Sequence, residues 1–228
     1  TEFDIDRTDV LQAMQAIGIS DLILPAVAYA YWQKLAHIST HHSMCHASFG
    51  LHPIYLAQHR PEHLNQLKTW VTHFQPVAIG ECGLDFYIPG LDPIQQETYF
   101  VAQIRLACEF DLPLIIHARR SLDAVLKCLR RFPSAHGIIH SFAGSLQQAE
   151  QCIAHGFYLG VGGTMTYERA QRLRNVVTHV PLEHLVLETD APDQPDSAWR
   201  GQRNTPLRLP VIAQALAELR AQSLDTIT

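Results

Sequence analysis

No apolar run in these 228 residues approaches the roughly 20 that a membrane-spanning helix requires, and no secretory leader is visible, so no membrane partner is expected. Cysteine is sparse. Five are present (Cys45, Cys82, Cys108, Cys128 and Cys152), none in a CxxC spacing. An odd number so scattered argues against a disulfide framework and fits a reducing, cytoplasmic setting. Positive charge is also in short supply. The net charge is −5 and the isoelectric point about 6.2, the wrong sign for gripping a long nucleic acid along a basic stripe. A phosphate-bearing substrate would have to be held locally, by metal and a few arginines. No linker or shift in composition divides the chain. With 47% hydrophobic and 17% charged residues it can bury a sizeable core and is not disordered.

What the chain does have is a repeated pattern, most visible in Val77-Ala78-Ile79-Gly80-Glu81-Cys82-Gly83-Leu84-Asp85. A short apolar run, read as a buried strand, stops at a carboxylate flanked by glycines. Leu114-Ile115-Ile116 likewise ends at His117, and Gly137-Ile138-Ile139 at His140. Leu185-Val186-Leu187 runs through Glu188 and Thr189 to Asp190. Between such runs lie helical stretches, with proline opening those at Pro61–Phe74 and Pro93–Phe110. Near the start, Asp9 is expected to cap a first helix. Strands are expected near residues 22, 45, 77, 114, 137, 157 and 185. Strand, loop and helix in repetition imply a parallel sheet with helices outside it. The expected fold is α/β, a TIM (β/α)8 barrel. Since seven strands are found and the barrel needs eight, the first is expected to be missing from this chain. An open, doubly wound sheet is the competing architecture. It suits the pattern less well, because the marked residues come from several strands along the chain rather than from one switch point.

A charge at the end of a buried strand is costly unless it is paired. In a barrel of parallel strands the C-terminal ends converge on one face, so Glu81, His117, His140 and Asp190 are expected to form one metal site. Imidazole nitrogen and carboxylate oxygen suit zinc and the harder divalent ions. Glu81, with two oxygens, is the candidate bridge between two ions. Asp190 is the candidate to bind metal and to take a proton from water whose pKa the metal lowers. Each of the four, taken singly, also has an ordinary structural explanation as a hydrogen-bonded strand end or turn residue.

The motifs Gly50-Leu51-His52-Pro53, Gly80-Glu81-Cys82-Gly83-Leu84-Asp85, Leu112-Pro113-Leu114-Ile115-Ile116-His117-Ala118-Arg119, His140-Ser141-Phe142-Ala143-Gly144-Ser145 and Leu187-Glu188-Thr189-Asp190-Ala191-Pro192 together resemble the TatD-type metal-dependent deoxyribonucleases. That family belongs to the amidohydrolase superfamily of TIM barrels. The resemblance covers nearly the whole chain, in the family's order. Gly160-Val161-Gly162-Gly163-Thr164 is similar to a branch known mainly as metal hydrolases. The resemblance implies two divalent ions (magnesium, manganese or zinc), with Glu81 bridging, His117 and His140 on one ion and Asp190 on the other. It implies hydrolysis of DNA phosphodiesters, of the 3′ to 5′ exonuclease type, with single-stranded DNA ends as the partner and no protein partner. Glu81 and Asp190 would be the catalytic residues. The family's His-x-His pair, at the end of its first strand, has no counterpart before the first helix here. Residues 1–228 are therefore expected to be one hydrolase barrel domain cut short at both ends.

Two further residues are candidates for substrate binding. His52, in a Gly-x-His-Pro turn, is either a phosphate contact or a turn histidine packed on Pro53. Arg119, two positions beyond His117, either clamps a phosphate oxygen or pairs with Asp123. Glu188 is expected to support a ligand, and Cys82 to pack in the core facing away from Glu81. Gly162-Gly163-Thr164 is a weak phosphate-loop signal. Trp199 is either a base-stacking residue or, the favoured reading, a loop anchor. Hydrolysis of an amide, ester or lactone by the same kind of site is the alternative chemistry. A non-catalytic scaffold is the alternative to an enzyme.

Overall fold

The computed structural model describes residues 2–228. Seven strands lie among them: β1 (Leu22–Ala26), β2 (Cys45–Phe49), β3 (Ala78–Asp85), β4 (Leu114–Arg119), β5 (Gly137–Ile139), β6 (Phe157–Val161) and β7 (Leu185–Leu187). The helices are α1 (Arg7–Ala16), α2 (Tyr29–His41), α3 (Pro61–Phe74), α4 (Pro93–Phe110), α5 (Leu122–Leu129), α6 (Leu146–Ala154), α7 (Gln171–His179), α8 (Leu209–Arg220) and the short α9 (Leu224–Ile227). The chain is therefore α/β, and every strand pair described is parallel. Asp9 lies inside α1 rather than capping it, because the helix begins one residue after Asp6. Two compact units are distinguishable.

The larger unit comprises Asp21–His140 and Gln151–Phe157. In it β1 pairs with β2, β2 with β3, β3 with β4, and β4 with β5. Its core is aromatic at one side, where Trp32 of α2, Phe49 of β2 and Trp70 of α3 meet with ring centroids 5.3–6.1 Å apart. The Trp32 indole is fully buried and donates to the Gly50 carbonyl at 3.1 Å, which satisfies its one polar atom. Elsewhere the packing is aliphatic: Ile79, Leu114 and Ile116 on strands against Ile104, Val125 and Leu129 on helices, all essentially inaccessible to water.

The helix α4 also fixes strand ends. Gln96 and Gln103 lie seven residues apart on one helix face, and both are buried. The Gln103 amide accepts the Leu51 N–H at 2.8 Å and donates to the Leu51 carbonyl at 3.2 Å, just past β2. The Gln96 amide does the same at Asp85, the last residue of β3, at 2.7 and 2.9 Å. Backbone groups leaving a sheet have lost their ladder partners, and these two side chains replace them.

The second unit comprises the chain up to Ser20, Ser141–Glu150 and Tyr158–Thr228. Here β6 and β7 pair in parallel, Leu159 opposite Leu185. Leu173, Val176 and Val177 of α7 and Ile212 and Leu216 of α8 are buried. The Arg220 guanidinium closes the end of this packing, donating to the Val177 and Val180 carbonyls at 2.6 and 2.9 Å. Asp196 is buried in an ion pair with Arg208, its oxygens 2.6 and 3.0 Å from the guanidinium nitrogens, and it also accepts the Ala198 N–H.

Candidate metal centre

The sequence places a strand end at Glu81, but β3 continues to Asp85. The ladder between β3 and β4 slips at this point: Gly80 pairs with Ile115 and Cys82 with Ile116, leaving Glu81 as the extra residue of a bulge. A bulge bends the strand and re-aims one side chain. Close approach enforces the glycine nearby, since a Cβ on Gly50 would fall 2.5 Å from the Gly80 carbonyl carbon. Cys82 is fully buried, its thiol near the Ile115 carbonyl at 3.7 Å, and burial followed by the Glu81 charge pushes its pKa far up.

Three side chains of the larger unit converge at the bulge. One ligand-capable atom each from His52, Glu81 and His117 lie within 4.8 Å of one another. His52 follows β2 and precedes Pro53. Its Nδ1 accepts the Ile54 N–H at 3.2 Å, so in the neutral ring the proton sits on Nε2 and is donated to Glu81 Oε1 at 3.1 Å. The ring therefore braces the Glu81 carboxylate. His117 is held from the other side by Asp85, whose Oδ2 accepts from His117 Nε2 at 3.0 Å. With Nε2 protonated, the Nδ1 lone pair faces Glu81 Oε1, 3.3 Å away. Two electron-rich atoms at that separation repel unless a proton on Nδ1 or a metal ion lies between them. Metal–ligand bonds of about 2.0–2.2 Å set neighbouring ligand atoms roughly 3.0–3.5 Å apart. A carboxylate backing a histidine whose other nitrogen is directed at the site is the usual support of a metal ligand. The donor set thus fits a divalent ion.

Without an ion, a proton on Nδ1 takes that place, and the surrounding charges favour it. Burial raises the pKa of Glu81, but the fields of His52 and His140 and hydrogen bonds from His117 and His52 outweigh it and hold the carboxyl well below its ordinary range. Burial lowers the pKa of His117, and the Glu81 and Asp85 carboxylates more than reverse it. Asp85 also ends lowered, burial being outweighed by His117 and by the Ile88 and Tyr87 N–H groups that its Oδ1 accepts. His140 directly follows β5, and its N–H donates to the Ile116 carbonyl at 2.9 Å.

Asp190 belongs to the second unit and has a positive φ of 57°. The side-chain amide of Gln194 donates to its carboxylate and, at 2.9 Å, to Ser141 Oγ. Glu188 Oε1 accepts the Ser141 N–H at 2.7 Å. Gly163 is dictated by packing, since a Cβ there would lie 2.7 Å from the Asp196 nitrogen. Trp199 anchors its loop, its indole donating to the Arg203 carbonyl at 3.1 Å beneath the Arg208 guanidinium. Arg119 is exposed, its guanidinium carbon 3.8 Å from the centroid of the Tyr87 ring. Asp85, part of the Gly80–Asp85 motif, has no role assigned from the sequence. Its carboxylate and that of Glu81 reach the two nitrogens of the same His117 ring.

A family profile described as TatD related DNase matches residues 1–228. The chain belongs to the TatD family. This TatD-family chain is 37% identical over 230 residues to the uncharacterized metal-dependent hydrolase YjjV of Escherichia coli, a match spanning 99% of this chain and 88% of that one. It is 34% identical over 228 residues to the 3′-5′ ssDNA/RNA exonuclease TatD of Erwinia tasmaniensis, covering 96% of this chain and 88% of that relative. Its fold matches the crystal structure of YjjV, a TatD homolog, with a TM-score of 0.95 and 35% identity over 99% of this chain and 88% of that chain. The α/β barrel class expected from the sequence is therefore the fold class of this TatD-family metal-dependent hydrolase.

Proposed function

We propose that this chain hydrolyses phosphodiester bonds in single-stranded nucleic acid, DNA foremost, from the 3′ end. The convergence of His52, Glu81 and His117, with Asp85 behind His117, carries the reading. The name of the 34%-identical relative, a 3′-5′ ssDNA/RNA exonuclease, supports the substrate class. Glu81, His117 and His140 would hold a divalent ion, and Asp190 would be a further metal ligand. Magnesium, manganese or zinc would suit the donors. Bound ions lower the pKa of water and neutralise charge on phosphoryl oxygens. The protein's own part is to hold the site in shape. Asp85 keeps the proton of His117 on Nε2, leaving Nδ1 free to ligate. His52 donates to Glu81 and fixes the carboxylate's rotation. Asp190 accepts the proton of the attacking water. Five free cysteines fit residence in a reducing compartment, and we assign the chain to the cytoplasm.

A single strand labelled at its 5′ end, incubated with manganese and the protein, should shorten stepwise from the 3′ end. The Glu81→Gln variant should lose this shortening. An unshortened strand with the manganese-loaded protein overturns the nuclease reading, and hydrolysis of an ester or lactone by the same preparation would replace it.

A further inference from the structure

The loop that follows β3 leaves two aromatic rings in water. Phe86 is 42% exposed and Tyr87 47%. They are not on a floppy tether. Tyr87 N–H donates to Asp85 Oδ1 at 2.8 Å, Ile88 N–H to the same oxygen at 3.0 Å, and Phe86 N–H to the Arg119 carbonyl at 2.9 Å. The other oxygen of that same Asp85 holds His117. Arg119 lies two residues beyond His117, and its guanidinium carbon is 3.8 Å from the Tyr87 ring centroid; that of Arg120 is 4.8 Å away. An exposed tyrosine attended by two guanidinium groups is thereby fixed, through one carboxylate, to a histidine of the candidate metal centre.

We propose that Tyr87, with Arg119 and Arg120, is a stacking platform for the nucleobase next to the phosphodiester that is cut. The proposal rests on the nucleic-acid reading above and names how that substrate is held. Aromatic rings and guanidinium planes stack on any base, so the platform grips a strand without reading its sequence. The two cations meet the flanking phosphates. Stacking also requires an unpaired base, which selects single strands over duplex. Arg119, whose sequence context leaves open a phosphate clamp or a pairing with Asp123, here belongs to a surface that binds base and phosphate together.

The test compares two strands of equal length and charge, made uncleavable by phosphorothioate linkages. One carries all its bases and the other lacks them at the three 3′-terminal nucleotides. Binding to the manganese-loaded protein is followed by fluorescence anisotropy. Wild type should bind the complete strand about tenfold more tightly than the abasic one. Tyr87→Ala should erase that ratio and Tyr87→Phe should keep it. Equal affinity of wild type for both strands, or an unchanged ratio in Tyr87→Ala, overturns the platform. Cleavable strands assayed in parallel separate the two claims. Cutting without base discrimination removes the platform and leaves the nuclease. Discrimination without cutting leaves the platform and removes the nuclease. No binding of either strand removes both.

Discussion

At the scale of single residues, the centre depends on which nitrogen of His117 carries the proton. Asp85 decides it by offering only an acceptor to Nε2. Asp85→Asn would keep the shape and can still accept the Tyr87 and Ile88 N–H groups through its carbonyl oxygen. Its amide nitrogen would then face His117 Nε2 with a donor. The ring proton would move to Nδ1 and block the lone pair directed at Glu81. Manganese affinity measured by titration calorimetry should fall about 10- to 100-fold, the usual cost of removing such support. Unchanged affinity would mean that His117 ligates nothing through Nδ1. Gly83 adds a steric condition at the same place: it has φ of 136°, and a Cβ there would sit 2.0 Å from the His117 carbonyl oxygen.

At the scale of elements, α4 sets where β3 ends. In Gln96→Leu both the N–H and the carbonyl of Asp85 would lose their buried partners. A destabilisation of about 2–6 kcal/mol is expected in urea unfolding, since each of the two stranded groups costs about 1–3 kcal/mol. A loss under about 0.5 kcal/mol would show that water or a shifted backbone replaces the amide. The loop between β7 and α8 has its own anchor in Asp196 and Arg208. Burial raises the Asp196 pKa, but Arg208 and the Ala198 N–H overcome this and leave it below its ordinary 3.8. A carboxyl lowered on folding stabilises the fold above its unfolded pKa and gives this up as pH falls through the folded value. Asp196→Asn should therefore be less stable than wild type at neutral pH by about 2 kcal/mol. The gap should narrow in circular-dichroism melts taken below pH 3.8. A gap constant with pH would refute the pairing. These elements also show what the sequence made legible. Proline at the first helical turn and apolar residues at helical spacing mark out Pro61–Phe74 and Pro93–Phe110. The strand around Glu81 reads too short in the sequence because a charged residue looks like a terminus. A bulge allows a strand to carry such a residue and continue, and that register slip is set by β4, not by local sequence. The buried glutamines of α4 were silent for the same reason, since polarity on a helix reads as a solvent face until the strand ends are in place.

At the scale of the whole molecule, charge limits how a strand can be held. The chain carries a net charge of −5. Several of its 17 lysines and arginines are already committed to carboxylates: Arg203 to Asp6, Arg208 to Asp196, Lys68 to Glu109 and Arg131 to Glu97. Arg119 and Arg120 are instead turned to an exposed ring. An acidic molecule with two such cations beside its candidate centre should contact few phosphates. Each phosphate neutralised on a single strand contributes about −0.7 to the slope of log affinity against log salt. Two contacts give a slope of about −1.4, measured by anisotropy with an uncleavable strand from low to physiological salt. Arg119→Ala should flatten it by about one contact's worth, or 0.7. A slope steeper than about −4 would require a long basic track and would contradict a local grip. So shallow a dependence has a functional consequence. Affinity must come from base stacking and from the metal centre, both of which need a free strand end, and long duplex gives the protein little to hold.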